Sequence, residues 1–322
     1  MSVSVILTCF NRARYIGEAI ESVLNQLVPA DEIMVVDDGS TDGSQDVVRG
    51  YADRGVQLIE QPNRGPSAAR NTGIKAARSE YVLPVDSDDM LLPHCIETLT
   101  QLFQKYPTAG LVHGLCRNFD EETGEDLEHP DFTMQCLEEA PHETREDGVR
   151  IYPNTFSQML RGSFLPVGGT LVPKRVFLEV GLWDEAMWVS EDRDVWLRIA
   201  RKYAFVFKPV EVMRRRFHSD NLSTHHGLKR LDTIVRIARK AARDWPEISD
   251  DDADWIRRQG ADSLRMLVRH HVGAGEGRRA REYLSEYSDI VRWNSAGLWA
   301  LSFLPGLLLR MLNAARGKGS QD

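Results

Sequence analysis

Cysteine is scarce in this 322-residue chain: Cys9, Cys95, Cys116 and Cys136 show no close pairing of the zinc kind and form no disulfide framework. They read as reduced thiols of a cytoplasmic protein. Positive charge is not in excess either, since 40 Lys and Arg stand against 48 Asp and Glu, a formal net charge of -8. That balance argues against a generic binder of nucleic-acid backbones, which needs a cationic surface or stripe. The opening Met1-Ser2-Val3-Ser4-Val5-Ile6-Leu7 lacks the basic start, apolar stretch and cleavage site of a signal peptide, so export is not expected. Long hydrophobic runs are missing as well. The richest, Leu298 to Leu312, is broken by Pro305-Gly306 and carries Arg310, which makes it short for a membrane span. No internal repeat or low-complexity tract is present.

The composition is that of an ordinary globular chain, long enough for one large α/β domain with an appendage. Its first part alternates short apolar β-type runs with helical spacing, the pattern of βαβ units in a mostly parallel sheet. Strands are expected at Val3 to Thr8, Glu32 to Asp37, Val56 to Glu60, Tyr81 to Val85, Gly110 to Leu115, Gly168 to Val172 and Ala204 to Val212. Helices are expected from Ile16, from Gly65-Pro66-Ser67, from Pro93 to Tyr106 and from Asp192 to Tyr203. Asn118 to Arg150 is acidic and weakly periodic and reads as a loop region. After about His225 the pattern turns helical throughout: Leu228 to Trp245, Ala253 to His271 and Glu276 to Tyr287, with no strand between. The expected division is therefore residues 1–225 and 226–322.

Acids placed just after strands carry the chemistry, because ligands in open α/β sheets bind beyond the strands' carboxyl ends. Val36-Asp37-Asp38-Gly39-Ser40 ends one strand and Val85-Asp86-Ser87-Asp88-Asp89 another. Carboxylates this close repel one another, and a divalent cation is the simplest compensation. Mg2+ and Mn2+ take oxygen ligands, commonly one or two carboxylates together with substrate phosphates. Turn and capping chemistry also favours Asp and Ser here; it accounts for Asp86 to Asp89 taken alone, and for Gly39 but not for the adjacent Asp37 and Asp38.

Five pieces in order decide between them: Val5-Ile6-Leu7-Thr8-Cys9-Phe10-Asn11-Arg12; Ile33 to Asp42; Asn63-Arg64-Gly65-Pro66-Ser67-Ala68-Ala69-Arg70-Asn71-Thr72-Gly73; Asp86-Ser87-Asp88-Asp89; and Gly181-Leu182-Trp183-Asp184-Glu185 followed by Ser190 to Arg198. Together they resemble a family 2 glycosyltransferase with the GT-A fold, over roughly the first two thirds of the chain. The resemblance implies a Rossmann-like sheet flanked by helices, a nucleotide-sugar donor (UDP by preference) and Mn2+ or Mg2+. It implies that Thr8, Phe10 and Asn11 meet the nucleotide, that Asp38 hydrogen-bonds the base, and that Arg70, Asp86 and Ser87 reach the nucleotide. Asp88, with Asp86 and His218, would serve the metal. Asp192 would be the catalytic base with Glu191 as its orienting partner, although both acids also suit a helix start. Gly168, Gly169 and Thr170 would line the acceptor or donor-sugar pocket, with Trp183 or Trp188 stacking on a sugar, although tryptophans are more often core. The basic triplet Arg214-Arg215-Arg216 is either a solvated edge or an aid to a departing diphosphate.

A nucleotidyltransferase should show a Gly-rich phosphate loop after the first strand, and Thr8 to Arg12 offers none. A non-catalytic nucleotide-sugar-binding module should lack the metal acids or the base, and both are present. The acceptor implied by the family is a glycan or a lipid-linked hydroxyl. Trp293 to Leu312, flanked by Arg292, Arg310, Arg316 and Lys318, suits either the inner membrane surface or a helix pair packed on the protein or across a homodimer.

Overall fold

The computed structural model describes residues 1–127, 140–162, 165–219, 221, 227–288 and 290. Trp293 to Leu312 and Cys136 lie outside them. The chain divides into two compact units, Met1–Leu222 and Ser223–Asp322.

In the first unit the strands are β1 (Val3–Cys9), β2 (Glu32–Asp37), β3 (Val56–Glu60), β4 (Tyr81–Asp86), β5 (Met90–Leu91), β6 (Leu111–Asp120), β7 (Glu143–Thr144), β8 (Arg150–Tyr152), β9 (Thr170–Pro173) and β10 (Phe205–Phe217). The helices are α1 (Ile16–Leu24), α2 (Ser44–Arg49), α3 (Pro66–Ala76), α4 (Cys95–Lys105), α5 (Phe156–Arg161), α6 (Lys174–Val180) and α7 (Glu191–Ala200). The strands form one sheet in the order β3-β2-β1-β4-β9-β6-β10-β8-β7, with β5 paired to β10. β3, β2, β1 and β4 run parallel, as the βαβ pattern requires. β9 is antiparallel to β4 and β6, and the sheet becomes mixed there. Because β1 and β4 are covered on both faces, their residues are almost all buried rather than alternating.

Three local features bring side chains to the carboxyl ends of β1, β2 and β4. Gly73 is the first. A methyl group there would lie 2.3 Å from Ile6 Cγ2, so only glycine lets α3 settle onto β1. Arg70 shares that face of the helix, three residues earlier, and is drawn in with it. The second is an irregularity in β10 between Phe207 and Met213, around Pro209, which cannot donate to the ladder. Beyond it, pairing of Met213 and Arg214 with β5 lays the end of β10 along the Asp86–Asp89 turn. The third is the crossing at Gly168, where a side chain would strike Met213 Sδ at 2.2 Å.

β6 runs on to Asp120, three residues into the stretch expected to be loop, and β7 also falls within it. Weak local periodicity was no guide there, because pairing with β10 as far as Phe217 holds the strand. α2, α5, α6 and the two-residue β5 had no periodic signal long enough to read.

The second unit holds α8 (Gly227–Asp244), α9 (Asp250–Gly273) and α10 (Gly277–Glu286). Gly260 meets Ala238 where α9 crosses α8, closely enough that a methyl group would lie 2.4 Å from the alanine Cβ. Ser249 caps α9 by accepting from Asp252 N at 3.2 Å, and three acids follow in its first turn. Among the described residues no helix is long and apolar enough to cross a membrane.

Candidate active site

Two acids end β2, and they do different work. Asp37 is buried and accepts from Gly39 N, Ser40 N, Ser40 Oγ and Gln45 Nε2, which closes the turn after the strand. Asp38 accepts from Gln61 Nε2 at 2.7 Å, Arg64 N at 3.0 Å and Gly65 N at 2.7 Å. Expected to meet the base, it is 4% exposed and holds the loop that starts α3. Asn11, at φ 52, accepts from Thr41 N at 2.8 Å and donates its backbone N–H to Ser40 Oγ, so β1 and β2 end as one rigid ledge. Thr8 sits on that ledge opposite Asp86 of β4, and Phe10 beyond it is exposed.

The turn after β4 carries three acids in three environments. Asp86 is partly exposed and accepts from Arg70 Nη2 at 2.7 Å. Ser87 is buried. Asp88 lies 3.0 Å from His218 Nε2 and 3.3 Å from Arg12 Nε. Burial alone would raise its pKa, but the bond from His218 and the Arg12 charge outweigh burial and hold the carboxyl below its usual range. Asp89 is buried and accepts from Arg216 N at 3.1 Å; burial and the neighbouring Asp88 and Asp86 push its carboxyl well up. His218 is stacked on Tyr15 at 4.9 Å, and the Arg216 guanidinium lies over the same Tyr15 ring.

The start of α7 is built by α3. Asn71 brackets the backbone of Trp183, donating to its O at 2.8 Å and accepting from its N at 2.9 Å. Ser67 Oγ donates to Met187 O. This pins the loop that carries Trp188 and Ser190, and Ser190 enters α7 at φ 56. Asn11 and Ser190 are the non-glycine residues at positive φ among the described residues, and both border the site, where strained backbone is usually found. Behind them Asp194 is fully buried and paired with Arg198, which donates to the carbonyls of Val180, Gly181 and Leu182.

Glu191 pairs with Arg70 Nη1 at 2.5 Å. Asp192 is half-buried and accepts a hydrogen bond from Arg193 N at 2.8 Å. Burial, then the Glu191 charge, push its carboxyl up to about 7, against the pull of Arg70 and Arg215. Arg70 therefore joins the β4 acids to the α7 acids through a single guanidinium.

The remaining expected residues are placed by packing. Gly168 and Gly169 turn their bare faces to Met213 and Val212, and Thr170 is fully buried with its hydroxyl donating to Pro166 O. Trp183, expected to stack on a sugar, is 2% exposed and lies under the Arg70 guanidinium at 4.7 Å. Trp188 is 40% exposed and lies against the backbone at Gly65. Tyr15 and Arg12 join the site without an expected role. Arg215 belongs to the basic triplet expected to be a solvated edge or an aid to a departing diphosphate; its charge is felt by Asp89, Asp86 and Asp192.

A carboxylate and an imidazole meeting at one point beside a second carboxylate suit a divalent ion with oxygen-rich coordination, its other positions left to a diphosphate. Among the described residues no three His, Cys, Asp or Glu side chains form a ready cage, so a metal here would depend on the donor for part of its shell.

The family model for "Glycosyl transferase family 2" matches residues 4–165. An uncharacterized glycosyltransferase of Rickettsia felis is 30% identical over 223 residues, 68% of this chain and 34% of that protein. Glycosyltransferase GlyG of Streptococcus pneumoniae is 37% identical over 140 residues, 42% of this chain and 46% of that one. The chain thus spans about a third to a half of the length of these curated relatives. Among solved structures, S. aureus TarS superposes with a TM-score of 0.60 at 17% identity, covering 99% of this chain and 53% of TarS. TarS 1–349 in complex with UDP-GlcNAc gives 0.58 at 16% identity, over 94% of this chain and 79% of that one. Mannosyltransferase PcManGT from Pyrobaculum calidifontis, in complex with GDP-Man and Mn2+, gives 0.57 at 20%, over 98% and 82%. At these identities the superpositions establish a shared GT-A-like fold. With half the chain matched by the family model, the chain belongs to glycosyl transferase family 2.

Proposed function

We propose that this chain is an inverting glycosyltransferase that moves a sugar from a nucleotide diphosphate, UDP by preference, to a hydroxyl of a glycan or lipid-linked acceptor. The observation that carries the reading is that Asp86 of the β4 turn and Glu191 at the start of α7 meet on Arg70, with the charge of Arg70 also felt by Asp192. Phe10 and Thr8 offer an exposed ledge for the nucleoside at the ends of β1 and β2. Asp88 and His218 would hold Mn2+ or Mg2+, which supplies charge neutralisation for a departing diphosphate. Arg215 adds fixed positive charge beside Asp86 and Asp192.

Asp192 is the base. Its carboxylate takes the proton of the acceptor hydroxyl while that oxygen attacks the anomeric carbon, and a single displacement inverts the configuration. A carboxyl poised near 7 suits that task better than one at an ordinary 3.8, because a stronger base still ionises at working pH. The solved neighbours with UDP-GlcNAc and with GDP-Man and Mn2+ support a nucleotide-sugar donor and a metal. A calorimetric screen of UDP, GDP and their sugars, with and without Mn2+, tests the reading. Absence of binding by every nucleoside diphosphate in the presence of metal would refute it.

A further inference from the structure

Arg70 is 4% exposed, and both of its terminal nitrogens are taken by protein carboxylates, Asp86 and Glu191. Its Nε is buried without a partner, and the guanidinium is laid on the Trp183 indole. Burial would push the guanidinium's pKa down, but the two acids outweigh burial and raise it, so the charge is permanent. With the guanidinium 4% exposed and an N–H of each terminal nitrogen spent on a protein carboxylate, little of it is open to a nucleotide. A planar fork that spans two acids on different elements cannot be replaced by the single point charge of Lys.

We propose that Arg70 is a positioning residue which acts on the base through Glu191, with Asp86 as its second anchor, and not by contact with the donor. The proposal rests on reading Asp192 as the base. Asp192 is surrounded by Glu191 and Arg193 on α7, Arg70 from α3 and Arg215 from β10. Glu191 opposes ionisation of its neighbour and Arg70 favours it less strongly, so the Arg70–Glu191 pair pushes the Asp192 carboxyl up by less than Glu191 alone would. Remove Arg70 and Glu191 stands unpaired in a buried site next to the base. Remove Glu191 and the base loses the charge that keeps it strong. Arg70 also fixes where the first turn of α7 lies, since Glu191 is the first residue of that helix.

The test is a pH titration of the full chain labelled with 13Cγ-aspartate, followed by NMR, the Asp192 signal being the one absent from Asp192→Asn. No donor, acceptor or metal is needed. Arg70→Met should move the Asp192 midpoint up by about one pH unit, the scale of a neighbouring opposite charge. Glu191→Gln should move it down, and the double variant should fall well below Arg70→Met because both charges are gone. Arg70→Lys should lie between wild type and Arg70→Met. If Arg70→Met does not fold, Glu191→Gln and Arg70→Lys decide, and a midpoint unmoved in both overturns the proposal. So does a midpoint unmoved in Arg70→Lys together with a tenfold loss of UDP affinity by calorimetry, which would return Arg70 to direct nucleotide contact. Because the titration reads the carboxyl itself, turnover surviving in Asp192→Asn would sink the base assignment and leave the Arg70 result standing.

Discussion

His218 Nε2 meets Asp88 Oδ2 at 3.0 Å across 130 residues of chain, and β10 makes the meeting possible. The strand is long, irregular at Pro209, and tied at its far end to the Asp86–Asp89 turn by Arg216, whose N–H donates to Asp89 and whose Nε donates to the carbonyl of Asp88. Tyr15 then stacks on the imidazole and Asn221 Oδ1 takes the His218 backbone N–H at 2.6 Å. A histidine fixed at ring and backbone is preorganised to share its partner's task, which loose surface histidines are not.

The metal reading gives the first prediction. UDP should bind more tightly with Mn2+ than with chelator, because Asp86 and Asp88 alone repel a diphosphate. His218→Ala and Asp88→Ala should each lower the Mn2+-supported affinity about tenfold, roughly 1.4 kcal/mol. Titration calorimetry with and without EDTA checks this. Wild-type binding of UDP equally tight with Mn2+ and with chelator would remove the metal from the mechanism.

Asp192→Asn should leave UDP affinity nearly intact and lower transfer about 10²–10⁴-fold, since the amide keeps the shape but cannot take a proton. In wild type the transfer rate should rise with pH through about 7, as the carboxyl ionises. The sign for stability is opposite. A folded-state pKa raised from 3.8 to about 7 favours the folded state at low pH, and that contribution is lost as pH climbs through 7. Asp192→Asn should therefore raise Tm relative to wild type at pH 8 and lose that advantage at pH 4. A Tm difference that does not change with pH would contradict the raised carboxyl.

Much of this was legible in the sequence. β2 and β3 span the expected residues, and the acids after β2 and β4 stand at strand ends because short apolar runs such as Ile33 to Val36, followed by turn residues, suit a buried strand. The partners of those acids were not legible. Asp37 and Asp38 look alike in the sequence, yet one closes its own turn and the other holds the entry to α3, a distinction made by Gln45 and Gln61 rather than by the pair itself. Gly168 and Gly169 suggested a pocket, but a glycine signals close approach without saying to what, and here it is β10. Trp183 could not be told from a sugar platform until Arg70 was seen lying on it.

Glu32, at the start of β2, gives a prediction of acid sensitivity. Its buried carboxylate accepts from Ser4 Oγ, from Arg78 N at 2.7 Å and Nε at 2.6 Å, and from Ser79 N at 3.2 Å, which joins β1, β2 and the turn before β4. Burial would raise its pKa, but these donors outweigh burial and hold it at about 2. The stabilisation is present above the ordinary 4.5 and is lost as pH falls towards 2. Glu32→Gln should lower stability at pH 7 by about 1–3 kcal/mol, the scale of hydrogen bonds to a charged group, and should flatten the fall between pH 4.5 and 2. Urea melts at a series of pH values measure both, and parallel curves for the two proteins would rule the account out.

Gly65 opens α3 at φ 89 and ψ 167, a conformation open to essentially no residue but glycine. A methyl group there would also lie 3.0 Å from Trp188 Cε2, so the indole lies against a backbone that must stay bare. Gly65→Ala should thus cost about 1–3 kcal/mol from backbone strain alone, with a further cost for moving Trp188. The two parts separate in a double-mutant cycle. In Trp188→Ala the clash is gone but the strain remains, so Gly65→Ala should be less destabilising there than in wild type, and by the part that belongs to the contact. The loop moved by the clash carries Ser190 into α7, where Glu191 and Asp192 begin, so Gly65→Ala in the wild-type background should also reduce transfer more than it reduces UDP affinity. Equal destabilisation in both backgrounds would show that Trp188 makes no energetic use of Gly65.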